Sequence, residues 1–139
     1  MTTLVIDTSV IIKWLNQDNE ENIDKADKIL ENVKNGQAGI IAPELAKYEA
    51  GNVLLHGKKL RLEQALIALS SLYTLPISFI TESKDLAEQT YSLAESLGIT
   101  YYDAAFLALA KKYEAILVTD NVKHQGKISE VNVLALSNY

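Results

Sequence analysis

Four carboxylates in this chain stand where a hard divalent cation can be held. Asp7 ends the short apolar run Leu4-Val5-Ile6, Glu49 lies inside a helical pattern, Asp103 opens an alanine-rich segment, and Asp120 follows the apolar run Ala115-Ile-Leu-Val-Thr119. Hard cations prefer oxygen ligands, and Mg²⁺ takes one or two carboxylates plus waters and substrate phosphate, so convergent Asp and Glu residues make chemical sense. Asp7 and Asp120 both follow apolar strands, at the end where open α/β sheets bind their ligands. Asp103, in a first helical turn, meets free backbone amides and the positive end of the macrodipole. Taken one at a time, each acid has a plainer explanation. Asp103 reads as a dipole partner, Asp7 as an N-cap-like acid, and Glu49 as a solvent-facing helical residue. Periodicity does not settle Glu49, which shares a face with Asn52 and Val53.

The elements that must position these acids alternate. Leu4-Val5-Ile6 reads as a strand buried on both faces of a parallel sheet, and Val10, Ile11, Trp14 and Leu15 follow at helical spacing with Thr8 or Ser9 available as N-cap. A loop over residues 16–22 leads to a helix over 23–33, closed by Asn35-Gly36, and then to a short strand over 39–42. Pro43 is read as the first residue of a helix running to Gly57, followed by a helix over 62–72 and a brief strand over 77–80. The pattern over 83–97 predicts a helix ended by Gly98, and residues 102–113 a largely buried helix. Strands over 115–119 and 131–134 complete the pattern. The expectation is an α/β fold, a three-layer α/β/α sandwich around a mostly parallel central sheet.

Bulk properties narrow the class. The 139 residues, 48% of them apolar, fit one domain spanning 1–139 with a core of its own, and no repeat or biased tract suggests a linker or solenoid. The chain has no cysteine, which excludes disulfides and thiolate metal sites. It shows no basic leader and no apolar run of the roughly 20 residues a membrane span needs, so a cytoplasmic protein without membrane contact is expected. A formal net charge of −5 is the wrong sign for nonspecific coating of nucleic acid, so any phosphate contact must be local. The cationic candidates are Lys58, Lys59 and Arg61; Lys111 and Lys112; and Lys123 and Lys127. Each cluster is better explained as a solvated surface.

The order and context of the acidic segments resemble the PIN-domain family, and within it the toxin-type members called VapC. Val5-Ile-Asp7-Thr-Ser-Val-Ile-Ile-Lys-Trp14 is similar to the family's opening strand with its first metal-binding aspartate. Pro43 through Glu49-Ala-Gly-Asn52-Val-Leu54 resembles its acidic helix, and Tyr101-Tyr102-Asp103-Ala-Ala-Phe-Leu-Ala108 its third acidic motif. The resemblance covers nearly the whole chain. It implies that Asp7, Glu49 and Asp103 are ligands to Mg²⁺ or Mn²⁺. At the fourth motif the chain departs from the family: in Leu117-Val-Thr119-Asp120-Asn121, Asn121 occupies the slot where Asp is usual and Asp120 comes one residue early. Either Asp120 turns into the site or Asn121 supplies an amide oxygen or a water contact, with Thr119 bracing the loop.

By the same resemblance the chain is expected to be a metal-dependent endoribonuclease hydrolysing RNA phosphodiester bonds by in-line attack of an activated water. The further implications are a type II toxin–antitoxin pair of the VapBC kind, a homodimer and a VapB-like antitoxin. Clustered carboxylates raise one another's pKa and repel RNA, so cation binding should precede or accompany RNA binding. Lys13, Trp14 and Tyr102 are candidates for RNA contact, although Trp14 at helical spacing with Ile11 fits a core or interface better. His56 and His124 read as ordinary surface histidines. Two other classes compete. A non-catalytic RNA- or protein-binding module of the same fold is suggested by Asn121. A phosphoaspartate receiver places acids at strand ends too, but Asp7 is followed by Thr8 and Ser9 instead of a second acid, and Glu49 lies inside a helix.

Overall fold

The computed structural model describes residues 1–122 and 130–139. Lys123, His124 and Lys127 lie outside the described residues. Five strands, β1 Thr2–Ile6, β2 Ala38–Pro43, β3 Ile77–Ile80, β4 Ile116–Thr119 and β5 Val133–Ala135, form one sheet in the order β3-β2-β1-β4-β5. All four neighbouring pairs are parallel. The sheet is therefore wholly parallel among the described residues. β1 is its centre, and Leu4, Val5 and Ile6 are almost fully buried, as a strand covered on both faces requires.

Among the described residues six α-helices accompany the sheet: α1 Thr8–Leu15, α2 Ile23–Lys34, α3 Leu45–Asn52, α4 Leu62–Leu72, α5 Lys84–Leu97 and α6 Tyr101–Lys112. Together with the sheet they make the three-layer α/β/α arrangement. α6 packs across β1, β2 and β4 and carries α5, while α1 meets α2, α3 and α4. The core joins β1 to Val10 and Ile11 of α1 and to Phe106, Leu107 and Leu109 of α6. That explains why α6 is apolar nearly all round. Ser83 caps α5 by accepting the Leu86 N–H, and Gly98 ends it in the left-handed conformation (φ 65°).

Chain order runs outward from β1 through β2 to β3, then returns across the sheet to β4 and β5. The direction reverses between β1 and β4, which makes the carboxyl ends of these two strands the topological switch point where such sheets open a crevice. The Asp7 N–H donates to the Val118 carbonyl at 3.1 Å, joining the two strand ends directly.

Three local features differ from expectation. Pro43 is the last residue of β2, paired with Ile80, and is not the first residue of a helix. A missing N–H costs little where the ladder ends, and Glu44 donates the next bond to the Ile80 carbonyl. The helix expected through Gly57 instead breaks after Asn52 into a π-helical turn, Val53–Gly57, in which the Lys58 N–H reaches back to the Val53 carbonyl. The last strand begins two residues later than expected, because Val133 is the residue in register with Leu117. Core packing under α6 carries the stability: Leu107→Ala should cost about 2–5 kcal/mol in urea unfolding, whereas truncating exposed Leu66 should change it by no more than about 0.5 kcal/mol.

Candidate active site

A cleft of about 360 Å³ opens at this switch point, lined by Asp7, Thr8, Ser9, Ile12, Glu20, Glu49, Val53, Asp103 and Asp120. None of the lining residues is basic. Each acid arrives on a different element. Asp7 ends β1, Glu49 projects from the last turn of α3, Asp103 sits in the first turn of α6, and Asp120 follows β4. Glu20, from the loop between α1 and α2, is a fifth acid that sequence reading missed. Its nearest signal, an acidic residue in a polar loop, is shared with Asp18 and Glu21.

Hydroxyl groups hold the first of these acids. Ser9 Oγ and Thr119 Oγ1 both donate to Asp7 Oδ2, at 2.7 and 2.8 Å. The same hydroxyls accept backbone N–H groups: Ser9 from Asp120 at 3.1 Å and Thr119 from Asn121 at 3.0 Å. One carboxylate oxygen thus joins β1, α1 and the turn after β4. Thr8 Oγ1 donates to Glu49 Oε1 at 2.6 Å, orienting the second acid. With Thr8 and Ser9 so engaged, α1 begins at Thr8 behind Asp7 and has no side-chain cap, contrary to the N-cap expected from Thr8 or Ser9. By contrast, Thr100 caps α6 by accepting the Asp103 N–H at 3.0 Å, which fixes the turn that presents Asp103.

Charge in the cleft is uneven. Burial raises the Glu49 pKa, the Thr8 hydrogen bond opposes that rise, and the charges of Asp7 and Asp103 add to it. Beneath the cleft, Lys13 is 1% exposed, and its Nζ lies 3.0 Å from Glu20 Oε1 and 3.0 Å from Asp120 Oδ2. It also donates to the Glu21 carbonyl at 2.6 Å. Burial works to lower the Lys13 pKa, but the hydrogen bonds and charges of Glu20 and Asp120 outweigh it and leave the pKa raised. Glu20 also pairs with Lys58 at 2.5 Å, and these two lysines hold its carboxyl below the ordinary range against the opposing effect of burial.

Several candidates for nucleic-acid contact are engaged elsewhere, and Trp14 lies against the core as its helical spacing with Ile11 suggested. Lys13 is buried in ion pairs and does not face solvent, and Lys58 is engaged with Glu20 and the Asp18 carbonyl. Trp14 packs on the core and its indole N–H donates to the Ala26 carbonyl at 3.0 Å, tying α1 to α2. Tyr102 lines a separate, mainly apolar cavity beside Pro43, Leu86 and Leu109. At the fourth acidic position, Asp120 lines the cleft, whereas exposed Asn121 is not among its lining residues.

Among the described residues, no three acidic or histidine side chains are grouped tightly enough to hold an ion alone. The donor set still suits Mg²⁺ or Mn²⁺, which bind through one or two carboxylates and complete their shell with water and phosphate. Hard oxygen donors line an open cleft, and the repulsion among Asp7, Glu49 and Asp103 would be relieved by a cation.

A wholly parallel α/β sheet with acids gathered at its switch point defines the class of protein. The description "PIN domain" matches residues 4–128, and the chain belongs to the PIN-domain family. Its fold is similar to VapBC2 from Rickettsia felis bound to a promoter DNA fragment, with TM-score 0.74, 18% identity, and 96% of this chain and 98% of that one covered. DNA-bound VapBC from Salmonella typhimurium is similar with TM-score 0.70, 17% identity and coverage of 98% and 99%. Mycobacterium tuberculosis VapC20, a toxin that cleaves the sarcin-ricin loop, is similar with TM-score 0.69, 14% identity and coverage of 93% and 98%. No curated protein sequence matches the chain.

A carboxyl whose folded pKa lies above its unfolded value contributes stability that is fully present below the unfolded pKa and is lost as pH rises through the folded pKa. Glu49→Gln should therefore raise the metal-free Tm by a few degrees at about pH 7, with the gain vanishing near about pH 4. Calorimetry in EDTA checks this, and a lower Tm at neutral pH would contradict it.

Proposed function

We propose that this chain is a metal-dependent endoribonuclease that hydrolyses RNA phosphodiester bonds, acting as the toxin of a VapBC-like pair. The observation that carries the reading is the gathering of Asp7, Glu49, Asp103 and Asp120 in one cleft at the switch point of a PIN-domain sheet, with no basic residue in its lining. Asp7, Glu49 and Asp103 are the acids that hold Mg²⁺ or Mn²⁺, and Asp120 completes the acidic rim. When bound, the cation supplies Lewis-acid polarisation, a more acidic water and charge to offset that developing on the phosphate.

The chain's own residues prepare for this. Ser9 and Thr119 hold the Asp7 carboxylate through Oδ2, and among the described residues no hydrogen bond engages Oδ1. Thr8 fixes Glu49, and the capped first turn of α6 fixes Asp103. The acids repel RNA phosphate until a cation offsets them, so metal and substrate bind in an ordered or joint manner.

The partners in this reading are an RNA substrate, a second copy of the chain and a VapB-like antitoxin. Structural likeness to VapBC complexes supports the last of these. So does α4, which leaves Leu62, Leu66 and Ile67 exposed at 72%, 54% and 70%, apolar area suited to a protein partner. A second reading, a binding module without turnover, is favoured by the looseness of the acid grouping and by Asn121 in place of the usual acid.

Cleavage of a structured RNA pool with Mg²⁺, Mn²⁺ or EDTA separates the two. The nuclease reading predicts metal-dependent cutting over many turnovers that Asp7→Asn and Asp103→Asn each reduce by more than about 100-fold. Affinity for RNA without turnover would establish the binding module, and cutting that survives both substitutions or EDTA would overturn the proposed site.

A further inference from the structure

A lysine side chain as buried as the aliphatic core is unusual, and Lys13, 1% exposed, is among the largest fully buried side chains of the described residues. Its ammonium lies directly under the acidic cleft, 3.0 Å from Asp120 Oδ2 and 3.0 Å from Glu20 Oε1, and both of those carboxylates line the cleft. Its third contact is the Glu21 carbonyl at 2.6 Å, so its donors are all directed at oxygen. α1 positions it: Ile11 and Ile12 precede it in the core, and its ammonium meets both the loop bearing Glu20 and the turn after β4 bearing Asp120.

We propose that the Lys13 ammonium is the built-in cation of this cleft, a positioning residue that holds Asp120 and limits the site to a single divalent ion. The inference rests on the metal-dependent reading given above. Five carboxylates line the cleft; Lys13 is shared between Asp120 and Glu20, and Lys58 also pairs with Glu20. Two ammonium charges set against these two acids leave Asp7, Glu49 and Asp103 without a cationic partner among the described residues. Three carboxylates match one divalent ion whose remaining shell is water and phosphate. A second ion beside Asp120 would meet an ammonium already hydrogen-bonded to that carboxylate and fixed by burial, and like charges at such range repel. Lys13 therefore occupies in charge, and close to in place, what a second metal would supply.

The test counts Mn²⁺ bound per chain by equilibrium dialysis with electron paramagnetic resonance, on protein without RNA. Wild type and Lys13→Arg should each bind one ion. Lys13→Met, which keeps the length and removes the charge, should bind two, with a spin-coupled pair visible in the spectrum. Because that variant leaves carboxylates without their ammonium partner, Lys13→Met combined with Glu20→Gln provides a second version with the Lys13–Glu20 pair removed together, and it too should bind two. Two ions in wild type, or one ion in the folded charge-free variants, would overturn the role of Lys13 while leaving the metal-dependent reading intact. No ion bound by wild type would overturn the role of Lys13, and the metal-dependent reading would then stand or fall on the cleavage assay with Mg²⁺, Mn²⁺ or EDTA.

Discussion

Two hydroxyl groups from opposite ends of the chain, those of Ser9 and Thr119, donate to the same oxygen of Asp7. The site depends on this convergence. β1 and β4 are neighbours only because the chain crosses the sheet to place β4 beside β1, and the Asp7 N–H bond to Val118 aligns their ends. Once aligned, Ser9 and Thr119 each use the donor side of a hydroxyl on Asp7 and the acceptor side on the backbone of Asp120 or Asn121. The turn after β4 is thereby locked to the start of α1. A carboxylate held through one oxygen keeps a fixed direction, which lets an acid at a strand end act as a ligand instead of as a mobile surface charge.

The remaining acids are held at a cost in charge that the fold answers in two ways. Glu49 is half-buried and close to Asp7 and Asp103, and only the Thr8 hydroxyl favours its ionised form. That side of the cleft is left under electrostatic tension. On the other side, Lys13 and Lys58 neutralise Glu20 and Asp120. The π-helical turn contributes to both sides: it follows Glu49 directly, carries Val53 into the cleft wall and ends at Lys58. Widening the helix at that point sets where Lys58 meets the loop bearing Glu20. Buried ion pairs of this kind add little net stability, since desolvation offsets their attraction, but losing one partner is expensive, so they specify one arrangement of the loop over its alternatives.

Much of this was legible in the sequence, and the parts that were not share a cause. β1 was readable from Leu4-Val5-Ile6, α5 from its apolar stripe and Gly98, and α6 from its unbroken apolar character, because each signal is local. Order and context of the acidic segments pointed to the PIN domain. What escaped depends on distant partners. Lys13 looks like a solvent-facing cation in the sequence, since Glu20 lies seven residues away and Asp120 belongs to a different strand end. Lys58 likewise reads as one of a surface cluster until the loop with Glu20 is placed against it. Pro43 reads locally as the first residue of a helix, and only its pairing with Ile80 shows it as the last residue of β2. The choice between Asp120 and Asn121 at the cleft turns on the backbone after Thr119, which the two hydroxyl locks determine.

The most direct test of the central claim is a crystal grown or soaked with Mn²⁺, with the ion located by its anomalous scattering. The account predicts one strong peak in the cleft, about 2.0–2.3 Å from oxygen atoms of at least one of Asp7, Glu49 and Asp103, with the others reaching it directly or through water. A cleft that stays free of Mn²⁺ at millimolar concentration, or a peak bound only outside it, would contradict the account.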